Sequence, residues 1–127
     1  MPIDHTGIRV AHADYAKVVA WYEKALKPLG YAKAIDLGVA VGFAAEGHNA
    51  DWWVSSRDEG ANAYHHAFTA NSRGVVSEFY KAAIEAGGEE NGAPGIRAQF
   101  GPNYYGAFVK DPVGNNIEAV CHAPEAA

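Results

Sequence analysis

The order of predicted strands and helices occurs twice in this chain, and this repeat constrains the fold more than any other feature. The first half opens with an alternating segment, Ile3 to Ala11, which predicts a strand. An amphipathic helix follows from about Asp14, its expected N-cap, to Lys27, and Pro28 and Gly30 end it. Three short strands are then predicted over about 31–36, 39–45 and 51–56.

The second half repeats this order after RDEGAN, the polar segment 57–62 that we interpret as a linker. A strand is predicted over 63–70, and a helix that Asn71 or Ser72 caps then ends at Gly87-Gly88. The segment GEENGAPG is expected to be a loop before three strands near 96–100, 103–111 and 116–122, with a turn at DPVGN. We therefore predict one α+β domain, 1–127, made of βαβββ modules at about 3–56 and 63–122.

Composition excludes several classes of partner. Hydrophobic residues make up 49% and charged residues 20% of the 127 residues, which is typical of a globular protein and too apolar for a disordered one. The formal net charge is −5 and Lys and Arg are not clustered, so neither nucleic acid nor a membrane surface is an expected partner. A lone cysteine, Cys121, and no recognisable signal peptide favour a cytoplasmic protein without an internal disulfide.

Aligning the two halves pairs residues that could carry chemistry. His5 falls on His65 at the same position of the first strand of each module. The remaining matches are Trp21-Tyr22 with Phe79-Tyr80, Gly30 with Gly88, Phe43 with Phe108 and, at the same offset, Trp53 with Glu118. Identity between the halves is weak, so the repeated order of elements carries most of this interpretation.

Strand periodicity predicts which face each of these side chains occupies. His5 shares a face with Gly7 and Arg9, while the opposite face, with Ile8 and Val10, is expected to pack under the helices. His65 repeats this pattern, and Glu118 lies on the same side if its neighbours Ile117 and Ala119 face the helices. Two imidazoles and a carboxylate at one cavity predict a divalent metal site with open coordination positions.

A plainer interpretation stays open, because a strand histidine is commonly no more than a half-buried polar residue. The chain has six histidines, which makes coincidence easier. We expect His12, His48 and His122 to be solvated, and His66 to point toward the helix side in a structural role.

The strings DHTGIRV, AWYEKAL, HHAFTA, FYKAAIEAGG and AFVKDPVGNNIEAV resemble the vicinal-oxygen-chelate superfamily, which includes glyoxalases, bleomycin-resistance proteins and extradiol dioxygenases. The resemblance covers nearly the whole chain, from about Ile3 to His122. It implies that the two modules form a cupped mixed β-sheet with helices on the outer face. It also implies a divalent metal, either Ni, Fe, Mn or Zn, held by His5, His65 and Glu118.

One departure from the resemblance divides the functional hypotheses. Glyoxalase I enzymes carry a fourth ligand where this chain has Trp53, and an indole cannot bind a metal. The remaining set resembles an extradiol dioxygenase site, although the chain length matches glyoxalases and fosfomycin-type resistance proteins. We therefore expect a metal-dependent enzyme, a glyoxalase-like lyase or isomerase or a dioxygenase, acting on a small oxygen-chelating substrate.

The alternatives are a metal-free, bleomycin-resistance-like protein that sequesters an aromatic or drug-like ligand, and a structural member with a decayed site. For a small-molecule ligand, we expect Arg9 to hold an anionic group, with Arg97 as the second choice. Trp53 and one of Tyr104 or Tyr105, of which we select Tyr105, are expected to form an aromatic wall.

Oligomeric state bears on the metal site as well. Modules of this superfamily pair within one chain or across two chains. We predict a homodimer, and if the modules pair across chains, His5 would share a metal with His65 and Glu118 of the partner subunit.

Overall fold

Each half of the chain forms a four-stranded sheet and one α-helix in the computed structural model, which describes residues 3–57 and 64–125. The first module holds β1 (Thr6–Ala11), α1 (Tyr15–Ala25), β2 (Tyr31–Asp36), β3 (Ala40–Ala45) and β4 (Trp52–Arg57). The second module holds β5 (His65–Thr69), α2 (Arg73–Glu85), β6 (Glu89–Ile96), β7 (Tyr105–Lys110) and β8 (Asn116–Cys121). Most of the predicted linker, 58–62, and the predicted start of the fifth strand at Ala63 lie outside the described residues.

The two sheets have the same topology. Their strand orders are β1-β4-β3-β2 and β5-β8-β7-β6, with the first and last strands of each module parallel and the other pairs antiparallel. This confirms the α+β fold of two βαβββ modules. The described strands form two separate four-stranded sheets, so the mixed hydrogen bonding lies within each module. In the part of the chain that the structure describes, neither helix has the length and apolar character needed to cross a membrane.

The two helices begin differently, although a polar residue precedes each of them. Ser72 has an extended backbone, and its hydroxyl accepts a hydrogen bond from Val75 N at 3.1 Å. Of the two residues predicted to cap the second helix, Ser72 is therefore the N-cap. Asp14 ends a 3-10 turn and has helical backbone angles, so its side chain makes no cap hydrogen bond. Asp14 therefore occupies the predicted N-cap position, but its carboxylate forms an ion pair with Lys17 at 3.3 Å instead of capping the helix.

The sixth strand also differs from the prediction. The segment expected to be a loop is β6, and residues 98–100, part of the predicted strand, form a 3-10 turn. Pairing between β6 and β7 shifts in register at Gly92 and again before Gly95. The ladder thus accommodates Gly and Pro residues through irregular pairing, which a periodicity argument cannot anticipate.

A single hydrophobic core joins the two modules through their helices. Trp21 donates its indole N–H to the carbonyl of Ala83 on the other helix at 3.1 Å. Tyr22 donates its hydroxyl to Asp111 Oδ2 at 2.6 Å. The hydrogen bonds of Trp21 and Tyr22 tie the first helix to the second module.

Asp111, the acceptor of the Tyr22 hydroxyl, is only 3% exposed and opens the predicted DPVGN turn. Its carboxylate also accepts hydrogen bonds from Val113 N and from the backbone and side-chain nitrogens of Asn115.

We predict that Tyr22→Phe destabilises the protein by about 1.5–3 kcal/mol, because it removes a hydrogen bond to a buried charged acceptor. The free energy of unfolding from urea denaturation measures this. Tyr80→Phe, the same change on the other helix, is the matched control and should cost clearly less. A Tyr22→Phe variant as stable as the wild type would show that the buried contact contributes nothing.

His66 packs against the core rather than into solvent, as the alternation of β5 predicts. Its ring centroid lies 4.8 Å from that of Trp52, and its Nε2 is buried without a hydrogen-bond partner among the described residues. Burial, followed by the charge of His65, lowers the pKa of His66, while Asp111 acts in the opposite direction. The folded state therefore disfavours the charged ring.

Below the usual histidine pKa of 6.5, the unfolded chain therefore binds a proton at His66 more readily than the folded chain does. The free energy of unfolding should fall as the pH drops, and His66→Phe should reduce this loss between about pH 7 and pH 5. Urea denaturation across that range measures the slope. The control is His48→Phe at an exposed position, and equal slopes for the two variants would contradict the prediction.

Candidate metal centre

The parallel ladder of β5 and β8 brings His65 and Glu118 together. His65 pairs with Asn116 and Ala67 with Glu118, so the imidazole and the carboxylate emerge on one face of adjacent strands. His65 Nε2 lies 3.2 Å from Glu118 Oε1. The histidine side chain is 52% exposed and the glutamate side chain 2% exposed, so a rim imidazole meets a buried carboxylate.

Hydrogen bonding determines the tautomer of His65. Its Nδ1 lies 3.1 Å from the carbonyl oxygen of Asn116, which can only accept, so Nδ1 carries the hydrogen and donates it. In the neutral ring, Nε2 then presents a lone pair to a carboxylate oxygen, and two acceptors this close need a cation between them. A proton or a metal ion meets that need.

The spacing and chemistry of the pair fit a metal ion. Two adjacent ligands with bonds of about 2.1 Å and an angle of about 100° lie roughly 3.2 Å apart. Imidazole nitrogen and carboxylate oxygen are both ligands of Zn, Fe, Mn and Ni. The distance between His65 and Glu118 is therefore that of two neighbouring ligands of one such ion.

The second oxygen of Glu118 has a different partner. The hydroxyl of Tyr104 donates a hydrogen bond to Glu118 Oε2. Gly106 leaves room for this contact, because a Cβ there would lie 3.3 Å from both Glu118 Oε2 and Tyr104 Cε1. Burial, followed by the hydrogen bond and charge of Glu118, raises the pKa of Tyr104 to about 12, against an opposing effect of Arg97. The phenol therefore remains protonated through the neutral range.

A stack of side chains flanks the pair on β6 and β7. The Phe108 ring lies 6.3 Å from the His65 ring at an interplanar angle of 26°. The guanidinium of Arg97 lies 5.3 Å from the Phe108 centroid and donates to the carbonyls of Gly95 and Ala93 at 2.9 and 2.8 Å. Arg97, the second choice from sequence, is thus a positioned cation beside this site.

His5 does not join His65 and Glu118 in this chain. It is exposed, precedes β1, and its Nδ1 lies 2.7 Å from Asp4 Oδ1. A cavity of about 560 Å³ between the modules has both His5 and His65 in its lining. Yet within residues 3–57 and 64–125 no three His, Cys, Asp or Glu side chains are close enough to hold one metal ion.

The first module presents an aromatic face where the second presents a carboxylate. Gly7 pairs with Trp53 as Ala67 pairs with Glu118, which places the indole in the position predicted from the repeat. The indole extends over Gly42, the residue opposite Trp53 on β3. Trp53 lines a cavity of about 450 Å³ together with His5 and Arg9, so Arg9 lies on the face expected for it.

Two aromatic assignments from sequence need correction. Phe43 is not the counterpart of Phe108, because Gly42 pairs with Trp53 whereas Phe108 pairs with Glu118. Phe43 is instead fully buried in the core.

Tyr105 lies on the helix side of β7, where the guanidinium of Arg73 covers its ring at 5.2 Å. Tyr104, the other candidate, contacts Glu118 instead, and it does not line the cavity that contains Trp53. The alternation of side chains along β7 could have identified Tyr104. Tyr104 shares a strand face with Gly106 and Phe108, whereas Tyr105 shares the opposite face with the buried Ala107 and Val109.

No protein-family model and no curated protein matches this sequence. Solved structures do match, among them a glyoxalase/bleomycin resistance protein from Albidiferax ferrireducens T118, with 21% identity and a TM-score of 0.76 over 94% of this chain and 98% of that chain. A glyoxalase/bleomycin resistance protein/dioxygenase family enzyme from Burkholderia phytofirmans PsJN has 16% identity and a TM-score of 0.73, covering 95% and 98%. A lactoylglutathione lyase from Agrobacterium tumefaciens has 17% identity and a TM-score of 0.62, covering 91% of each chain. These similarities confirm the predicted resemblance at the level of the fold.

We predict that Gly42→Ala destabilises the protein by about 1–3 kcal/mol, because the new methyl group would overpack the first module. A Cβ at Gly42 would lie 2.9 Å from two indole atoms of Trp53 and 3.0 Å from Ala50 Cβ. Urea denaturation gives the loss. Gly74→Ala is the control, since its Cβ would meet nothing nearer than 3.8 Å, and a Gly42→Ala variant equal to it would refute the close packing.

Proposed function

We propose that this chain is a metal-dependent, glyoxalase- or dioxygenase-like protein that acts on a small oxygen-chelating substrate through a His-His-Glu metal site. The observation that supports this most is the distance of 3.2 Å between His65 Nε2 and Oε1 of the buried Glu118 carboxylate. Neither atom has a hydrogen to donate to the other in the neutral tautomer, so the pair favours a bound cation.

The residues around the pair suit such chemistry. His65 and Glu118 would hold a divalent Ni, Fe, Mn or Zn ion, which when bound supplies Lewis acidity toward two neighbouring substrate oxygens. The carbonyl of Asn116 orients His65 by accepting its Nδ1 hydrogen. Arg97 offers a fixed positive charge to an anionic group of the substrate, and Phe108 provides an apolar wall between that charge and the imidazole.

The third ligand in this proposal is His5, supplied by a second copy of the chain in a homodimer. Two features support an arrangement across chains. β1 and β5 are edge strands of separate sheets, which leaves each of them able to adjoin another chain. His5 is also exposed at the start of β1, where it can reach a neighbouring subunit.

A second candidate function rests on the first module. Its face carries the Trp53 indole over Gly42 beside the Arg9 guanidinium, in a cavity of about 450 Å³. A flat aromatic or drug-like ligand could stack there without a metal. This is the metal-free sequestering protein suggested by the missing fourth ligand.

We predict that the wild-type protein binds Ni, Fe, Mn or Zn in a calorimetric titration, and that His5→Ala and His65→Ala each abolish tight binding. Mixing the two variants should restore tight sites, because a mixed dimer has one site with all three ligands. After full subunit exchange this gives roughly one site per four chains. His48→Ala is the control and should bind like the wild type.

The outcomes separate the hypotheses. A wild-type protein that binds none of these metals refutes the metal-dependent function. If the two folded variants both fail to bind and their mixture gains no tight sites, all three ligands belong to one chain. If His5→Ala alone still binds tightly, His5 is not a ligand. Binding of an aromatic ligand that survives in the His5→Ala/His65→Ala double variant would support the metal-free binding protein.

A further inference from the structure

We propose that Tyr104 is a positioning residue that reserves one oxygen of Glu118 for the metal by occupying the other. This inference rests on the proposed metal site and assigns a role to a residue that the ligand set leaves out. The two oxygens of the Glu118 carboxylate have separate partners, the imidazole of His65 at Oε1 and the phenol of Tyr104 at Oε2. Only Oε1 therefore faces the proposed ion.

The position of the Tyr104 hydroxyl is held by its surroundings. The ring packs against Phe100, with centroids 5.2 Å apart, and against the edge of His122 at 5.1 Å and 89°. The absence of a side chain at Gly106 lets the ring approach Glu118. These two ring contacts and the open space at Gly106 orient the phenol toward Oε2.

This arrangement determines how the carboxylate can coordinate. A carboxylate binds a metal through one oxygen or through both. Glu118 is nearly fully buried, so solvent cannot readily satisfy Oε2 if the phenol is removed. Without that hydrogen bond, Oε2 is free to turn to the ion, and a second coordination position is taken. The Tyr104 hydrogen bond thus keeps open a position that an oxygen-chelating substrate needs.

The probe for this inference is the protein loaded with Co²⁺, whose visible absorption reports coordination number, together with acetohydroxamate, a chelator that binds through two neighbouring oxygens. In Tyr104→Phe we expect the Co²⁺ absorption to weaken as the coordination number rises. We also expect acetohydroxamate to bind at least about tenfold more weakly to the loaded protein, in keeping with the usual effect of losing a partner of a metal ligand.

Two further variants test whether the effect is specific to the Tyr104 hydrogen bond. Tyr105→Phe removes a phenol one residue away on the opposite face of β7, and it should match the wild type in both measurements. Gly106→Ala keeps the phenol but crowds it, since its Cβ would lie 3.3 Å from Tyr104 Cε1 and Glu118 Oε2, and it should shift both measurements in the direction of Tyr104→Phe.

Failure of this inference is distinguishable from failure of the metal site. If the wild type does not bind Co²⁺, the proposed function fails and the role of Tyr104 fails with it. If the wild type binds Co²⁺ and acetohydroxamate, and folded Tyr104→Phe gives the same spectrum and the same chelator affinity, only the role of Tyr104 is overturned. An equal change in Tyr105→Phe would likewise overturn it.

Discussion

The parallel pairing of the first and last strands of each module is the constraint on which the rest of the structure depends. A parallel pair cannot be closed by a tight turn, so the chain must cross over, and in both modules a helix lies in that crossover. The helix covers one face of the sheet and leaves the other face free for polar side chains. The same pairing places His65 and Glu118 on neighbouring strands, within contact of each other.

Two buried carboxylates show how structural and chemical roles can be distinguished in this fold. Asp111 accepts from Tyr22, Val113 and both nitrogens of Asn115, so its charge is satisfied by protein donors. Among the described residues, Glu118 accepts a hydrogen bond from one phenol, and its other oxygen lies 3.2 Å from the imidazole Nε2 of His65. A carboxylate that is fully hydrogen bonded stabilises the fold, whereas one that is incompletely satisfied invites a cation.

Much of the fold was predictable because it depends on local periodicity. Alternation correctly placed Ile8 and Val10 in the core, and the repeat correctly equated Trp53 with Glu118. What failed depends on single-residue register or on distant packing. The prediction chose Tyr105 where Tyr104 lies at the site, and an error of one residue places a strand side chain on the opposite face. The position of His5 relative to the second module depends on how two separate sheets are arranged, and periodicity carries no information about that.

The indole over Gly42 has a consequence for how such a doubled chain can diverge. Where the second module carries a buried carboxylate, the first carries a ring that packs closely on a glycine of the neighbouring strand. Substitutions around Trp53 would therefore reshape the cavity of the first module, while His65 and Glu118 on the other sheet keep their spacing. The two halves share a topology, yet each can vary at this position under its own packing constraint.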